Sequence, residues 1–179
     1  MRVVGVSLSE FHDKAGFQLV TSLPEDSPLS PLQFKLYSDL VLPREELCGR
    51  TLTIEFMDQY FLVVRPLLST NRDQDKTYTR EKYIYSLSLV VHKEDYLSAG
   101  RPALYRQVVS KLAQFFRVIE ERHHIIYNHP AYEGYIASVL EQFLGEINER
   151  GTCDLAYLCS HYTFINTAHP VHCPSSQRL

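Results

Sequence analysis

The residues with the clearest chemical potential are Lys76-Thr77-Tyr78-Thr79-Arg80-Glu81, a polar segment that runs into the alternating stretch Tyr83-Ile84-Tyr85-Ser86-Leu87-Ser88-Leu89-Val90-Val91. Such alternation predicts a β-strand, so Arg80 stands at the mouth of a rigid element. Arginine keeps its charge at any relevant pH, and its planar fork matches phosphate oxygens. A guanidinium offered in this way to another protein's nucleotide site would stabilise charge on a transferring phosphoryl group. Arg80 is therefore the candidate catalytic residue. Lys76, Tyr78 and Thr79 are candidates for orienting the loop or touching a partner.

Other chemistries find less support. His123-His124, His129, His161, His169 and His172, with Cys153, Cys159 and Cys173, supply zinc-type ligands. They show neither a C-x-x-C pair nor a matching histidine pair, so no metal site is expected. There is no G-x-S-x-G elbow and no H-E-x-x-H. The seven glycines are unclustered, so nothing forms a phosphate-cradling loop and no cofactor is expected. Glu120-Glu121 and Glu141 read as helix-face carboxylates, solvated or paired at i,i+4.

The elements that would position Arg80 follow from periodicity and turn chemistry. Val3 to Phe11 and Phe17 to Ser22 predict an opening hairpin around His12-Asp13-Lys14-Ala15-Gly16. Pro24 to Pro31 is a loop. Leu32, Leu36 and Leu40 recur at four-residue spacing and predict a short helix ended by Pro43. Arg50 to Phe56 predicts a strand, turned by Met57-Asp58-Gln59 and returned by Tyr60 to Val64. Pro66 predicts an edge or strand end there. Ser69 to Thr79 is a polar loop, expected to be mobile in isolation.

Past Gly100-Arg101-Pro102 the period changes. Leu104, Val108, Leu112, Phe115 and Ile119 predict a long helix, with Pro102 tolerated in its first turn. His129-Pro130 breaks the pattern. A second long helix carries Ile136, Val139, Leu140, Phe143, Leu144 and Ile147, and Gly151 is its expected C-terminal cap. Phe115-Phe116, Ile125-Ile126-Tyr127 and Phe143-Leu144 put apolar residues on adjacent faces, so part of this surface is expected to meet a second protein. The pattern is an α+β domain: a five-stranded, mainly antiparallel sheet carrying one short and two long helices. It is expected to occupy residues 1–165, followed by a polar, flexible tail over 166–179.

Bulk properties bound the function. A chain of 179 residues at 45% hydrophobic and 22% charged suits one globular domain. A net charge of −3 with scattered arginines argues against nucleic-acid binding. No apolar run approaches the length of a membrane span. The lack of a leader-like start and of a cysteine framework favours the cytosol and free thiols.

Several short motifs resemble the nitrogen permease regulator 2-like family in a common order. They are Ser9-Glu10-Phe11-His12 with Gly16, Pro24-Glu25-Asp26, Pro43 with Leu47-Cys48-Gly49-Arg50, Tyr78-Thr79-Arg80, Lys111-Leu112-Ala113, and Asn148-x-x-Gly151-x-Cys153. The resemblance runs from Val3 to Ile165. It implies a longin domain and a subunit of a GATOR-type complex that restrains amino-acid signalling to the TOR kinase. The implied partners are a nitrogen permease regulator 3-like longin subunit, a Rag-type small GTPase and a further GATOR-type subunit. The implied place is the cytoplasmic surface of the lysosome or vacuole, without membrane insertion. In the family a catalytic arginine lies in a Tyr-Ser-Arg segment before a strand, and Arg80 matches it, with Thr79 in place of serine. Family members continue into a C-terminal half of winged-helix type, so this sequence is expected to be a fragment, a short isoform or a reduced member. The alternative is a non-catalytic longin scaffold of vesicle trafficking or complex assembly.

Overall fold

The computed structural model describes residues 1–72, 74 and 76–151. The expected domain end at Ile165, the tail over 166–179, and Cys153, Cys159, Cys173, His161, His169 and His172 lie outside the described residues.

Eleven consecutive residues, Lys82–His92, form strand β5, which is buried without a break from Tyr85 to Val91. Continuous burial of this kind belongs to a central strand covered on both faces. On one side β5 pairs antiparallel with β1 (Gly5–His12), and on the other with β4 (Tyr60–Thr70). The hairpin partners β2 (Gly16–Leu23) and β3 (Leu52–Phe56) close the edges, giving the order β2-β1-β5-β4-β3 with every pairing antiparallel. The expected α+β sheet is therefore present.

Period-two alternation divides the core. Tyr83, Tyr85, Leu87, Leu89 and Val91 face the long helices α3 (Arg101–His123) and α4 (His129–Arg150). Val90, with Leu62 and Val64 of β4, faces the short helix α1 (Pro31–Val41) on the opposite side. Beneath α1 and its approach, β1 and β5 carry Ser7, Ser9, Ser86 and Ser88, all buried. Small side chains suit that face because the chain before α1 lies close to the sheet. A Cβ added to Gly5 would sit 2.2 Å from Ser27 Oγ, 3.1 Å from Ser27 Cβ and 3.2 Å from the Leu23 carbonyl.

The helix ends follow their local chemistry. The Ser30 hydroxyl accepts from the Gln33 N–H at the start of α1, and Pro31 occupies its first turn. Gly151 takes φ 70° after α4 and donates its N–H to the Ile147 carbonyl, as expected of a C-terminal cap. Asn148 on α4 exchanges two hydrogen bonds with the backbone of Val3, at 2.8 and 2.9 Å, and so pins the segment before β1 to α4.

Three expectations need correction. The strand expected over Tyr60 to Val64 continues to Thr70, because β5 is long enough to pair with all of it. Pro66 lies within this longer strand but where β4 is an edge, as expected. It is tolerated there because β3 has already ended (its Leu52 pairs with Val64), so no neighbour needs the missing N–H. A further short helix, α2 (Lys93–Leu97), follows β5 unannounced by any periodicity.

The third correction concerns the long helices. Their surplus apolar residues are consumed inside the domain: Phe115, Phe116, Ile125, Ile126 and Phe143 are all buried. Exposed apolar surface lies instead on α1, the short helix expected there. Phe34, Ser38 and Val41 face inward, while the leucine repeat at Leu32, Leu36 and Leu40 faces out, with Leu36 71% exposed. The spacing that identified the helix marks its solvent face.

Leu36→Lys is accordingly expected to change stability by no more than about 0.5 kcal/mol. Gly5→Ala should cost about 1–3 kcal/mol through overpacking against Ser27 and Leu23. Urea denaturation of both variants checks the contrast, and equal effects would contradict the assigned faces.

Candidate functional site

The loop between β4 and β5 leaves the sheet at Asn71 and re-enters at Lys82. Its base is closed by the Asn71 N–H donating to the Glu81 carbonyl at 3.0 Å. Asn71 also braces the loop with its side chain. Its Oδ1 accepts from the Tyr78 N–H at 2.9 Å, and its Nδ2 donates to the carbonyls of Tyr78 and Arg80 at 3.0 and 3.2 Å. A further tie comes from Arg72, whose Nη2 donates to the Glu121 carbonyl at 2.7 Å.

Tyr78 turns inward. Its ring is buried, stacks on Tyr83 at 5.2 Å and meets the edges of Tyr127 and His124 at 5.0 and 5.3 Å. Its hydroxyl donates to Glu120 Oε1 at 2.9 Å. Burial, then the neighbouring Glu120, raises the Tyr78 pKa far above its usual range, so the hydroxyl stays protonated and able to donate. Tyr78 thus anchors the loop rather than presenting a face to solvent.

Glu120 is the residue that sequence reasoning misjudged. Its neighbour Glu121 behaves as anticipated, reaching Arg117 at 3.5 Å across one helical turn, but Glu120 is 0% exposed. A signal was present: Val109, Leu112, Ala113 and Phe116 form a buried stripe on α3, and Glu120 continues it one turn further. At the end of α3, His124 adopts the left-handed conformation (φ 52°), which reverses the chain and drops Ile125 and Ile126 into the core. That reversal aims two backbone donors at the carboxylate: Glu120 Oε2 accepts from the N–H groups of Ile126 at 2.6 Å and Tyr127 at 3.3 Å. Three donors thus serve a carboxylate whose desolvation would otherwise be prohibitive. Burial still pushes the Glu120 pKa above the ordinary carboxyl value, with the three hydrogen bonds and His124 opposing.

A second buried carboxylate lies beside this cluster. Glu10 of β1 accepts from the Tyr83 hydroxyl at 2.5 Å and lies 3.1 Å from His129 Nε2 at the start of α4. The tyrosines 78, 83 and 127 therefore sit between two acids that belong to different elements.

Thr79 and Arg80 remain outside. The Thr79 N–H donates to the Tyr127 hydroxyl at 3.2 Å, and the Thr79 and Tyr127 hydroxyls share a hydrogen bond at 2.9 Å. The Arg80 side chain is 58% exposed and lies across the β1–β2 turn. Its Nε is 3.3 Å from Asp13 Oδ1, and its guanidinium carbon is 5.6 Å from the centre of the Phe11 ring. Asp13 is presented by a turn that His12 organises, its Nδ1 accepting from the N–H groups of Lys14 and Ala15. An exposed ion pair of this kind holds by only about 0–1 kcal/mol. Arg80 is restrained, but it is not committed to the interior. Lys76 is exposed on the same loop.

The four candidate residues thus separate by role. Tyr78 is internal, Thr79 is clamped at the surface, and Lys76 and Arg80 face solvent. The loop expected to be mobile is tied down over Tyr78 to Arg80. Among the described residues no group of three or more histidines, cysteines or acids gathers to hold a metal. Among them, too, no helix is long and apolar enough to cross a membrane.

A five-stranded antiparallel sheet with α1 on one face and two long helices on the other defines a longin-like α+β domain. The chain belongs to the nitrogen permease regulator 2 family, which matches it over residues 1–150. It is similar to a nitrogen permease regulator 2 homolog of Schizosaccharomyces pombe (strain 972 / ATCC 24843), with 29% identity over 122 residues. That similarity covers 68% of this chain and 27% of the relative.

The electrostatics of Glu120 carry a sign. Its folded pKa lies above the unfolded value of about 4.3, so the stability it contributes is full below that pH and is lost as pH rises through the folded pKa. Glu120→Gln removes this titration. The stability of the unaltered chain minus that of the variant should therefore fall as pH is raised from 4 toward neutrality. Denaturant titrations at several pH values would contradict the assignment if the difference stayed constant or grew.

Proposed function

We propose that this chain is the longin part of a GTPase-activating subunit, and that Arg80 is the group it contributes to catalysis. The target is a Rag-type small GTPase, whose bound GTP would receive the Arg80 guanidinium beside its γ-phosphate. The subunit belongs to a GATOR-type complex that restrains amino-acid signalling to the TOR kinase at the lysosome or vacuole surface. It pairs there with a nitrogen permease regulator 3-like longin subunit and a further GATOR-type subunit. Family membership supports the complex. The observation that carries the catalytic reading is an exposed arginine on a loop fixed from both sides.

The chemistry follows from that placement. The transferring phosphoryl group gathers negative charge on its oxygens, and a preorganised cation lowers the barrier without reorganising at the moment of reaction. To act, Arg80 must exchange Asp13 and the Phe11 ring for phosphate oxygens. The exposed ion pair opposes this only weakly, whereas a doubly charged phosphoryl group offers the fork two acceptors. Thr79 and Lys76 flank the approach; Tyr78 holds the loop from below.

A second reading, a non-catalytic longin scaffold, draws on the exposed leucines of α1 and on the existing Arg80–Asp13 pair. The two readings part on one substitution. In a reconstituted complex with its longin partner, Arg80→Ala should reduce stimulated GTP hydrolysis on the order of 10³–10⁵-fold, equivalent to about 4–7 kcal/mol of barrier. Assembly with the partner and binding of the GTPase should be nearly unchanged. Undiminished hydrolysis by the Arg80→Ala complex would leave only the scaffold.

A further inference from the structure

We infer that the Tyr127 hydroxyl is the positioning group for the arginine loop, setting where the Arg80 backbone stands relative to a bound nucleotide. The inference rests on the proposed function of Arg80 and adds a residue to it, one that no motif singled out.

Arg80 is bracketed by Thr79 on one side and the start of β5 on the other. The strand side is fixed by the sheet. The Thr79 side is fixed by Tyr127, which receives the Thr79 N–H at 3.2 Å and pairs with its hydroxyl at 2.9 Å. These are contacts to the residue immediately before the guanidinium-bearing one, and both come from a single oxygen on the α3–α4 corner. Of the other braces, Glu120 holds the Tyr78 side chain, and Asn71, at the base of the loop itself, holds the carbonyls of Tyr78 and Arg80; Tyr127 alone of these reaches Thr79 from the helical layer.

The corner is itself built to hold that oxygen still. The Tyr127 ring is wedged edge-on against Tyr78 and Tyr83, at 5.0 and 5.2 Å. Its backbone N–H is bound to Glu120. One ring therefore joins helix, corner and loop, and its packing does not depend on its hydroxyl. Removing the oxygen should free Thr79 without opening the core.

Tyr127→Phe tests this in the complete complex. A misplaced but intact finger loses rate while binding survives, and displacement by about 1 Å can cost up to roughly a hundredfold. Under saturating GTPase, kcat for stimulated hydrolysis should fall about ten- to a hundredfold, with KM for the GTPase and the thermal midpoint of the complex unchanged. Thr79→Val, which removes the partner hydroxyl, should lower kcat in the same direction. Thr79→Ser, which keeps it, should behave like the unaltered protein. The Tyr127→Phe/Thr79→Val double variant should be less impaired than the product of the single effects, since both cut the same link.

If Arg80→Ala abolishes stimulation while Tyr127→Phe leaves kcat intact, the positioning role is wrong and the catalytic arginine stands. A multiplicative double variant also overturns the positioning role, because the two groups would then act independently. If Arg80→Ala itself leaves kcat intact, the catalytic reading falls and the positioning role falls with it.

Discussion

The hydrogen bond from the Tyr78 hydroxyl to the buried carboxylate of Glu120 is the constraint on which the candidate site depends. It joins the β4–β5 loop, from which Arg80 projects, to the end of a long helix buried against the sheet. Without an internal anchor, a polar loop of this length pays heavily in conformational entropy to hold any one shape. With Tyr78 buried among Tyr83, Tyr127 and His124, the residues on either side inherit much of the core's order. Tyr78 to Glu81 form a bend rather than regular strand, so the strand rule that would put Tyr78 and Arg80 on one face does not hold there, and Arg80 stays exposed while Tyr78 is buried.

The same interaction explains why a carboxylate can be tolerated inside an aromatic cluster. Glu120 meets no full positive charge on the loop. Its stabilisation comes from donors arranged by the α3–α4 reversal, where His124 takes up a backbone conformation unusual for a residue with a side chain. Glu10 repeats the scheme from the sheet side with Tyr83 and His129. Two buried acids, each satisfied by tyrosine and flanked by histidine, thus stitch β1, β5, α3 and α4 together at the end of the molecule from which Arg80 projects. Polar networks of this type fix one arrangement only when every member is satisfied.

Much of this was legible in the chain, and the failures have physical causes. Strand alternation around Tyr83 to Val91, the hairpin at Gly16, and the two long helices with Gly151 closing the second follow from local periodicity and turn chemistry. The anchor does not. Tyr78 and Glu120 lie 42 residues apart, and nothing local states that they meet. Glu120 betrays itself only through its phase on α3, and that phase was outweighed by the general rule that paired glutamates are solvated. On α1 the leucine period marks the helix, while Phe34 and Val41 supply its buried face. Pro66 does mark an edge, since β3 has ended before it, but the continuation of β4 to Thr70 is a fact of pairing with β5 and not of composition. The family resemblance located Arg80, but only coordinates separate its exposed side chain from the buried one two residues before it.

Residue-resolved amide hydrogen exchange on the isolated chain addresses the anchored loop most directly. The Tyr78 N–H is held by Asn71 and the Thr79 N–H by Tyr127. Both amides should exchange far more slowly than those of an unstructured peptide, with no other protein added. Exchange of both at unprotected rates would mean that the loop is not tethered to the α3–α4 corner, and that Arg80 has no fixed base from which to act.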